Sequence, residues 1–453
     1  MIWVTDTIDD HRPPRNLTMS SSDLENRIKS RDFTMTVVGI GRVGLPLAIS
    51  FAREGVRVFG VDRLPMHVDQ VAAGVLPFIE HGAGEALTTV LDDGSFTPTT
   101  DASGSISQSD VVVLTVGTPI GDGMQPDHSQ IEAAAAALAE NLRPGTLVVL
   151  RSTVAPGTTT RIVVPALLGP TGLRLGDDLF VAFCPERISE GKAMEELGLL
   201  PEIIGGVDDA SARLAGEVFQ LLGPGKTIHL TDALSAELAK LFTNVYRYVN
   251  FALANEYGLI AEHYERDAHE IISMLRDGYP RAPVALPGPA GGPCLSKDGY
   301  FLIQEISYPD FVLTAWKLNE SIPVHIAQRL RQVMAFGGRQ LSGARVAVLG
   351  RAFKADIDDD RLSPSVRLIE TLQRMGAEVH VHDPYLPSES LEDALSEADA
   401  IVLATNHQVY GELDPKEVSK LAKPDCVVAD CWATLDAESW SMAGFEIFAL
   451  GRG

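Results

Sequence analysis

The sequence predicts an α/β protein in which two Rossmann-like, doubly wound domains are joined by a long central helix. Three observations indicate this fold. An apolar strand, a glycine turn, a helical segment and a second apolar strand follow one another from Thr34. A stretch from Thr231 to about Arg266 keeps apolar residues at helical spacing, with no glycine or proline before Gly258. A second alternation of strands and helices begins at Ala344.

The first domain is predicted over residues 34–210. Its opening segment, TMTVVGIGRVGLPLAISFAREGVRVFGVD, is typical of one βαβ unit. Later apolar segments predict buried strands, namely DVVVLTVGTP, TLVVLRSTVAPGT and LFVAFCPE, and HSQIEAAAAALAENL between them predicts a helix. Because apolar strands that alternate with helices form parallel sheets covered on both faces, we expect a parallel, doubly wound sheet.

A central helical domain is predicted over residues 211–330. Thr231 or Asp232 would cap its long helix, which we expect to serve as a spine and as an oligomer contact, so a homodimer or larger homo-oligomer is predicted. The segments ARVAVLGRAFK, SVRLIETLQRMGAEV, HVHDP, ADAIVLATNH and DCVVADCWA predict a smaller α/β domain over residues 331–453. Residues 1–33 are predicted to be a polar, partly ordered leader.

The composition restricts the possible partners. The chain of 453 residues carries 37 Lys and Arg against 61 Asp and Glu, a formal net charge of -24, which argues against binding to nucleic acid or to an anionic membrane. A ligand with phosphate groups would therefore need a local basic pocket. The start of the chain lacks the apolar core of a signal peptide, and no run of about 18 apolar residues follows. Four cysteines without a C-x-x-C pair predict reduced thiols, a cytoplasmic location and no metal site.

The turn GIGRVG has the spacing of a dinucleotide-binding fingerprint, and its candidate cofactor residues are Gly39, Gly41, Val43 and Gly44. It follows a strand and opens a helix, which is the context that the fingerprint requires. Asp62 ends the next strand, where a carboxylate can bind the ribose 2′-hydroxyl, so NAD is favoured over NADP. The neighbouring Arg63 leaves a contact with a 2′-phosphate open. The alternative is a glycine turn without a ligand.

Three polar residues follow predicted strands and therefore lie at the carboxyl edge of the sheet, where such folds bind ligands. Thr118 stands in VGTP and Thr153 in STVAPGT, and either could reach a cofactor or a bound water. Glu186 stands in CPERISEG and could act on a proton or a water. Each could instead be an ordinary loop residue.

On the long helix, Lys240 and Asn244 lie four residues apart and share one face. A lysine and an amide on a rigid helix are well placed to stabilise a developing oxyanion. The alternative is a surface ion pair between Lys240 and Glu237, three residues earlier.

The segment GPAGGPCLSKD places Cys294 among glycines and prolines rather than inside an apolar strand or helix, as Cys184 and Cys426 are. Such a backbone can present sulfur to a ligand at little conformational cost. Lys297 could favour the thiolate or bind phosphate, and Asp298 could accept a proton. A nucleophilic thiol beside NAD suggests a double oxidation, because a second hydride can leave only from a tetrahedral adduct, which attack by cysteine provides.

These motifs resemble the nucleotide-sugar 6-dehydrogenases, the UDP-glucose/GDP-mannose dehydrogenase family. The resemblance runs in order from Thr34 to the C-terminus through GIGRVGLPLA, VGTP, STVAPGTT, CPERISEG, AELAKLFTNVYRYVNFALANE, GPAGGPCLSKD and FKADIDDDRLSP. It implies an NAD-dependent, four-electron oxidation of a sugar C6 alcohol to a carboxylate through a cysteine thioester.

The resemblance also implies roles for single residues. Cys294 would be the nucleophile and Asp298 a base or water relay, while Lys240 would stabilise the oxyanion and Asn244 would orient sugar or water. Glu186 would assist thioester hydrolysis through a water that Thr118 also touches. Further cofactor contacts are implied for Thr153, Lys297 and Arg361. Further substrate contacts are implied for Arg187, Ile188, Arg281 (reaching a neighbouring subunit), Gly288, Gly291, Phe353 and Lys354.

The chain departs from the family's pattern at Arg151, where an acid is common, and at Pro293, where members carry serine, histidine or other residues. The expected substrate is a nucleoside-diphosphate hexose, with UDP- or dTDP-glucose preferred. UDP-N-acetylmannosamine, UDP-N-acetylglucosamine and GDP-mannose stay open. A two-electron hydroxyacid dehydrogenase would leave Cys294 without a task, and a non-catalytic sensor would not need Lys240, Asn244 and Asp298.

Overall fold

The computed structural model describes residues 20–453. The first unit alternates short strands with helices on both faces. Its elements in chain order are α1 (Ser21–Lys29), β1 (Thr34–Val38), α2 (Gly44–Arg53), β2 (Arg57–Val61), α3 (Pro65–Ala72), α4 (Ala83–Asp92), β3 (Phe96–Thr99), α5 (Ala102–Gln108), β4 (Val111–Leu114), α6 (Ser129–Ala139), β5 (Thr146–Leu150), α7 (Val164–Thr171), β6 (Leu179–Phe183), α8 (Ala193–Leu199), β7 (Glu202–Gly206), α9 (Asp209–Gln220) and β8 (Ile228–Asp232).

These strands form one eight-stranded sheet in the order β3-β2-β1-β4-β5-β6-β7-β8. All neighbouring pairs are parallel except β6 and β7, which are antiparallel. The order reverses at β1 and β4, so the loops after these two strands open a crevice at the carboxyl edge of the sheet. The predicted doubly wound fold is confirmed, and the crevice lies beside the GIGRVG turn.

The first unit is larger than the predicted domain at both ends. Its last strand ends at Asp232 rather than near residue 210, because β7 and β8 add to the same sheet. At the other end α1 lies inside the predicted leader, and its Leu24 and Ile28 are fully buried in the core of this unit. Residues 1–19 of that leader lie outside the described residues.

The middle unit consists of four helices, α10 (Ala233–His263), α11 (Ala268–Arg276), α12 (Leu295–Ile303) and α13 (Asp310–Phe336). The predicted cap is correct, since the side chain of Asp232 accepts a hydrogen bond of 2.9 Å from the backbone N–H of Ser235. Helix α13 is not predicted from the sequence; it packs along α10 and continues through an internal proline, Pro323.

The C-terminal unit is a second, smaller parallel sheet in the order β10-β9-β11-β12-β13. Its elements are β9 (Arg345–Leu349), α14 (Pro364–Arg374), β10 (Glu378–His382), α15 (Leu391–Leu395), β11 (Ala400–Leu403), α16 (Gln408–Gly411), α17 (Pro415–Leu421), β12 (Val427–Asp430), α18 (Ala437–Met442) and β13 (Glu446–Ala449). The second α/β domain is therefore confirmed. Across residues 20–453, none of the helices combines the length and the apolar character that a membrane span requires.

We predict that Leu24→Ala lowers the free energy of unfolding of the first unit by about 2–5 kcal/mol, because it leaves a cavity in a packed core. Urea titration measures the loss. Ser22→Ala, on the exposed side of the same helix, is the control and should change stability by less than about 0.5 kcal/mol. Equal midpoints for both variants would mean that α1 is only a loosely attached leader.

Candidate active site

The GIGRVG turn has the geometry of a dinucleotide site. Gly39 adopts a left-handed backbone with φ of 93°, and its N–H donates to the carbonyl of Val61 at 2.7 Å. A Cβ on Gly44 would lie 1.9 Å from the carbonyl oxygen of Gly39, so the helix start packs directly on the turn. A Cβ on Gly41 would meet nothing within 4 Å. The turn therefore leaves open space at the N-terminus of α2, where a pyrophosphate group fits.

The other predicted cofactor residues lie around this turn or across the cleft from it. Asp62 is half-buried at the end of β2 and accepts a hydrogen bond from the N–H of Leu64 at 3.1 Å, while Arg63 is exposed. Thr153 is half-buried in the loop after β5. Arg361 comes from the C-terminal unit. Their contacts with NAD stay predictions.

Cys294 is the N-cap residue of α12, and its side chain is exposed to the cleft. Although solvent reaches the sulfur, protein atoms crowd the cleft around it, and this desolvation raises the pKa of the thiol above its ordinary value. The charge of Asp298 raises it further, whereas Lys240 and Lys297 lower it. The predicted effect of Lys297 on the thiolate therefore has the expected direction, but desolvation and Asp298 outweigh it. The resting thiol therefore needs a proton acceptor before it can attack.

Asn244 and Lys297 converge on Asp298, which is almost fully buried one helical turn after Cys294. Asn244 on α10 donates to one carboxylate oxygen of Asp298 at 2.6 Å, and Lys297 donates to the other at 2.8 Å. The ammonium of Lys297 also lies 3.5 Å from the hydroxyl of Thr118. Residues from three separate segments thus form one hydrogen-bonded group beside the thiol.

The surface-pair alternative for Lys240 is wrong. Lys240 is buried, and its ammonium donates to the backbone carbonyl of Glu186 at 2.5 Å. Glu237 is also buried and points the other way, where its carboxylate accepts hydrogen bonds from Gly157 and Thr159. Burial raises the pKa of Glu237. Lys240 is therefore directed to the site loop, as an oxyanion donor must be.

Glu186 is anchored in a buried row of charges. One carboxylate oxygen accepts the N–H groups of Arg187 and Ile188 at 2.7 and 3.0 Å, and the other accepts two N–H groups of Arg151 at 2.7 and 2.6 Å. Since a carboxylate offers about four acceptor positions, these contacts occupy its capacity. The predicted contact of Glu186 with a water therefore requires that one of these hydrogen bonds be exchanged.

Arg151 continues this row into the core. It is 1% exposed, pairs with Glu202 at 3.4 Å and stacks on the ring of Phe219. Glu202 in turn accepts from the buried Lys226 at 3.0 Å. Although burial opposes its charge, the two glutamates raise the pKa of Arg151 further above its ordinary value. The sequence analysis noted Arg151 only as a departure, because its partners stand far away in the chain.

The glycines of the Cys294 loop are close contacts of the C-terminal unit. A Cβ on Gly288 would lie 2.4 Å from the ring of Trp432, and one on Gly291 would lie 2.6 Å from Pro364. A Cβ on Gly292 would lie 2.4 Å from the ring of Phe353. The backbone N–H of Gly292 donates to the carbonyl of Leu362 at 3.0 Å. The space beside these glycines, which was expected to leave the sulfur open to a ligand, is thus filled by side chains of the C-terminal unit. The glycines permit this close packing.

The predicted substrate residues Phe353 and Lys354 reach the cleft from the C-terminal unit. The ammonium of Lys354 donates to the hydroxyl of Ser189 at 2.5 Å and to the carbonyl of Glu190 at 3.0 Å. Burial lowers the pKa of Lys354. Arg281 instead lies on an exposed loop with its guanidinium 4.7 Å from the ring of Tyr279, and its predicted reach to a neighbouring subunit stays a prediction.

Glu190 lies beside the predicted site residues but is not itself predicted from the sequence. Its buried Oε2 has no hydrogen-bond partner among the described residues, and the side chain lies among Arg42, Asp359 and Arg361. Desolvation, with the charge of Asp359, raises the pKa of Glu190 to about 7, although the cations around it oppose the shift. The sequence signal that could have identified Glu190 is its position in CPERISEG, four residues after Glu186.

Comparisons with known proteins identify the family of the chain. Three models of the UDP-glucose/GDP-mannose dehydrogenase family match the chain: its NAD binding domain over residues 33–222, its central domain over residues 234–322 and its UDP binding domain over residues 347–437. Together they cover the three structural units in the same order.

Curated relatives and solved structures match nearly the whole chain. A UDP-N-acetyl-D-mannosamine dehydrogenase from Pyrococcus horikoshii is 36% identical over 87% of this chain and 94% of its own length. An NDP-N-acetyl-D-galactosaminuronic acid dehydrogenase from Ralstonia nicotianae is 34% identical over 84% of this chain and 92% of its own. The structure of a UDP-D-ManNAc dehydrogenase from Pyrococcus horikoshii superposes with a TM-score of 0.87 at 34% identity, covering 93% of this chain and 99% of that one.

We predict that Glu190→Gln stabilises the protein at pH 8 but not at pH 5. An acid whose pKa is higher in the folded than in the unfolded state costs stability as the pH rises from about 4.5 to 7, and the neutral amide removes that cost. Melting temperatures across this range should show a difference between variant and wild type that grows with pH. The exposed Glu195→Gln is the control. A difference independent of pH would contradict the assignment.

Proposed function

Because the chain belongs to the UDP-glucose/GDP-mannose dehydrogenase family, we propose that it oxidises the C6 alcohol of a UDP-N-acetylhexosamine, with UDP-N-acetyl-D-mannosamine first, to the uronic acid. The chain is an NAD-dependent oxidoreductase that acts on nucleotide sugars. The particular sugar, the base and the thioester route are the proposal.

The observation that carries the proposal is the group around Cys294. A thiol, a buried carboxylate, an amide and two ammonium groups come from α10 and from the start of α12 and share one cleft. A two-electron alcohol oxidation needs a base but no thiol. The exposed position of Cys294 beside Asp298 therefore favours the four-electron reaction over a hydroxyacid dehydrogenase.

The chain's own residues accept protons and stabilise charge in this reaction. In the first oxidation the hydroxyl proton of the C6 alcohol passes to a water in the cleft as the hydride leaves C6. NAD⁺ bound at the GIGRVG turn would accept one hydride in each of two oxidations. Between them, Cys294 loses its proton to Asp298 or to a water, and its sulfur forms a bond to the aldehyde carbon, whose oxygen Lys240 stabilises. After the second hydride has left, a water cleaves the carbon–sulfur bond of the thioester and gives the carboxylate, the free thiol and a proton.

The substrate proposal differs from the preference stated from sequence. The sequence analysis preferred UDP- or dTDP-glucose and kept N-acetylated sugars as the alternative. Both curated relatives described above carry names with N-acetylated hexoses, which supports that alternative. The name of the Pyrococcus horikoshii relative, a UDP-N-acetyl-D-mannosamine dehydrogenase, supports UDP over dTDP or GDP.

We also propose a homodimer in the cytoplasm. α10 exposes large apolar side chains at helical spacing along its length, namely Phe242, Tyr246, Leu253, Tyr257 and Ile260. A stripe of this kind on a 31-residue helix is typical of a surface that packs against a second copy. The four cysteines are free thiols, which supports a reducing compartment.

We predict that a panel of UDP-, dTDP- and GDP-sugars yields about two NADH per sugar, fastest with a UDP-N-acetylhexosamine. Cys294→Ala should abolish acid formation while NAD⁺ still binds, because the covalent adduct cannot form. Cys426→Ala, which changes a buried thiol of the C-terminal core, is the matched control. One NADH per sugar in the wild type, or an unchanged yield in Cys294→Ala, would refute the thioester route.

We predict that Lys240→Ala costs on the order of 3 kcal/mol in transition-state stabilisation, if its ammonium is the oxyanion donor. Steady-state kinetics would show this as a loss in kcat/KM. Lys317→Ala, which removes an exposed lysine on α13, should leave the rate unchanged. If Lys240→Ala leaves kcat/KM unchanged, the role of Lys240 is only structural, namely to bind the carbonyl of Glu186.

A further inference from the structure

Arg42 occupies a variable position of the GIGRVG turn, yet its side chain crosses to the C-terminal unit. Its guanidinium donates to a carboxylate oxygen of Asp358 at 2.7 Å and to the backbone carbonyl of the same residue at 2.8 Å. It lies 3.5 Å from the carboxylate of Asp359 and stacks over the ring of Phe78 at 5.2 Å. The arginine is 19% exposed, so solvent screens this ion pair only in part.

The partner of Arg42 belongs to residues 353–361, which we name the acidic loop because Asp358, Asp359 and Asp360 follow one another in it. A second group of the first unit also holds this loop, since the N–H of Ile79 donates to Asp358 at 3.1 Å. The acidic loop is thus fixed to the cofactor-binding unit at its middle.

From Asp358 the contacts continue to the thiol. The neighbouring Asp359 is 3% exposed, and its carboxylate forms a bidentate pair with Arg361. The backbone carbonyl of Asp359 accepts the N–H of Phe353 at 2.9 Å. The ring of Phe353 packs on Gly292, two residues before Cys294. One unbroken series of contacts therefore joins the cofactor turn, the acidic loop and the Cys294 loop.

We propose that Arg42 is a positioning residue: through Asp358 it holds the acidic loop, with Phe353, Lys354 and Arg361, in the place where it meets the sugar nucleotide and the Cys294 loop. The role deepens the proposed function and rests on it in one respect, namely that the acidic loop meets the nucleotide of the sugar substrate. Arg42 does not itself need to touch either ligand.

The charges around Arg42 give the physical reason. Glu190, Asp358 and Asp359 all face its guanidinium, and the chain as a whole carries a net charge of -24. Without Arg42 these carboxylates would repel one another and a diphosphate entering the cleft. Arg361 and Lys354 would remain, but Arg361 is already paired with Asp359 and Lys354 with Ser189. The loop would therefore shift, and a uridine diphosphate group should bind less tightly.

A double-mutant cycle tests the pair. Arg42→Met, Asp358→Asn and the double variant are titrated by calorimetry with UDP and, separately, with NAD⁺, and the melting temperature reports folding. Each single variant should weaken UDP binding about tenfold, and the double variant no more than the worse single one, because both remove the same contact. Affinity for NAD⁺ should change little. Arg42→Lys, which keeps the charge, should fall between wild type and Arg42→Met.

The matched control is Arg351→Met. Arg351 pairs with Asp360 at 2.8 Å within the C-terminal unit, so it tests the loss of an arginine–aspartate pair that does not cross between units. Its affinity for UDP should stay close to that of the wild type.

Three results would overturn the proposal. If Arg42→Met weakens NAD⁺ binding and Asp358→Asn does not, Arg42 serves the cofactor directly. If the effects on UDP add in the double variant, the two residues act independently. If Arg42→Met binds UDP like the wild type, or if Asp358→Asn does so should Arg42→Met not fold, the ion pair does not position the loop. Because calorimetry measures UDP binding without turnover, these results test the role of Arg42 even if no UDP-N-acetylhexosamine is oxidised.

Discussion

The constraint on which the site depends is the contact between the glycines of the Cys294 loop and the C-terminal unit. Gly288, Gly291 and Gly292 let the backbone approach Trp432, Pro364 and Phe353 at distances that a side chain would forbid. From the other side Asn255 on α10 holds Gly288 through two hydrogen bonds, of 2.9 and 3.1 Å. The thiol is thus placed by the middle and C-terminal units together, and both must fold and dock for the site to exist.

Buried charges fix the other wall of the cleft. The row Lys226, Glu202, Arg151 and Glu186 alternates in sign, so each charge has an opposite neighbour. Because desolvation offsets much of the attraction, such a row contributes more to a unique arrangement than to net stability. Here that arrangement places the carbonyl of Glu186 where the ammonium of Lys240 meets it. The loop that carries Glu186 is therefore held in a fixed position relative to α10.

The electrostatics of the resting site favour a protonated thiol. Desolvation and the carboxylate of Asp298 outweigh the two lysines, so the pKa of Cys294 stands above its ordinary value. Asp298 is the charged acceptor in the same group, and Asn244 and Lys297 hold both of its oxygens. A thiol that is activated only when a ligand has rearranged these contacts would be protected from side reactions between turnovers.

Local patterns in the sequence determined the two sheets, the cap of α10, the GIGRVG turn and the candidacy of Cys294, because these depend on periodicity, chain neighbours and glycine geometry. Local patterns also suggested that Lys240 and Asn244 share a face. Only the tertiary structure decided which way Lys240 points, that Arg151 anchors Glu186, and that Arg42 faces Asp358. Those contacts join residues 35 to 316 positions apart, and sequence spacing carries no information about partners brought together by the docking of whole units.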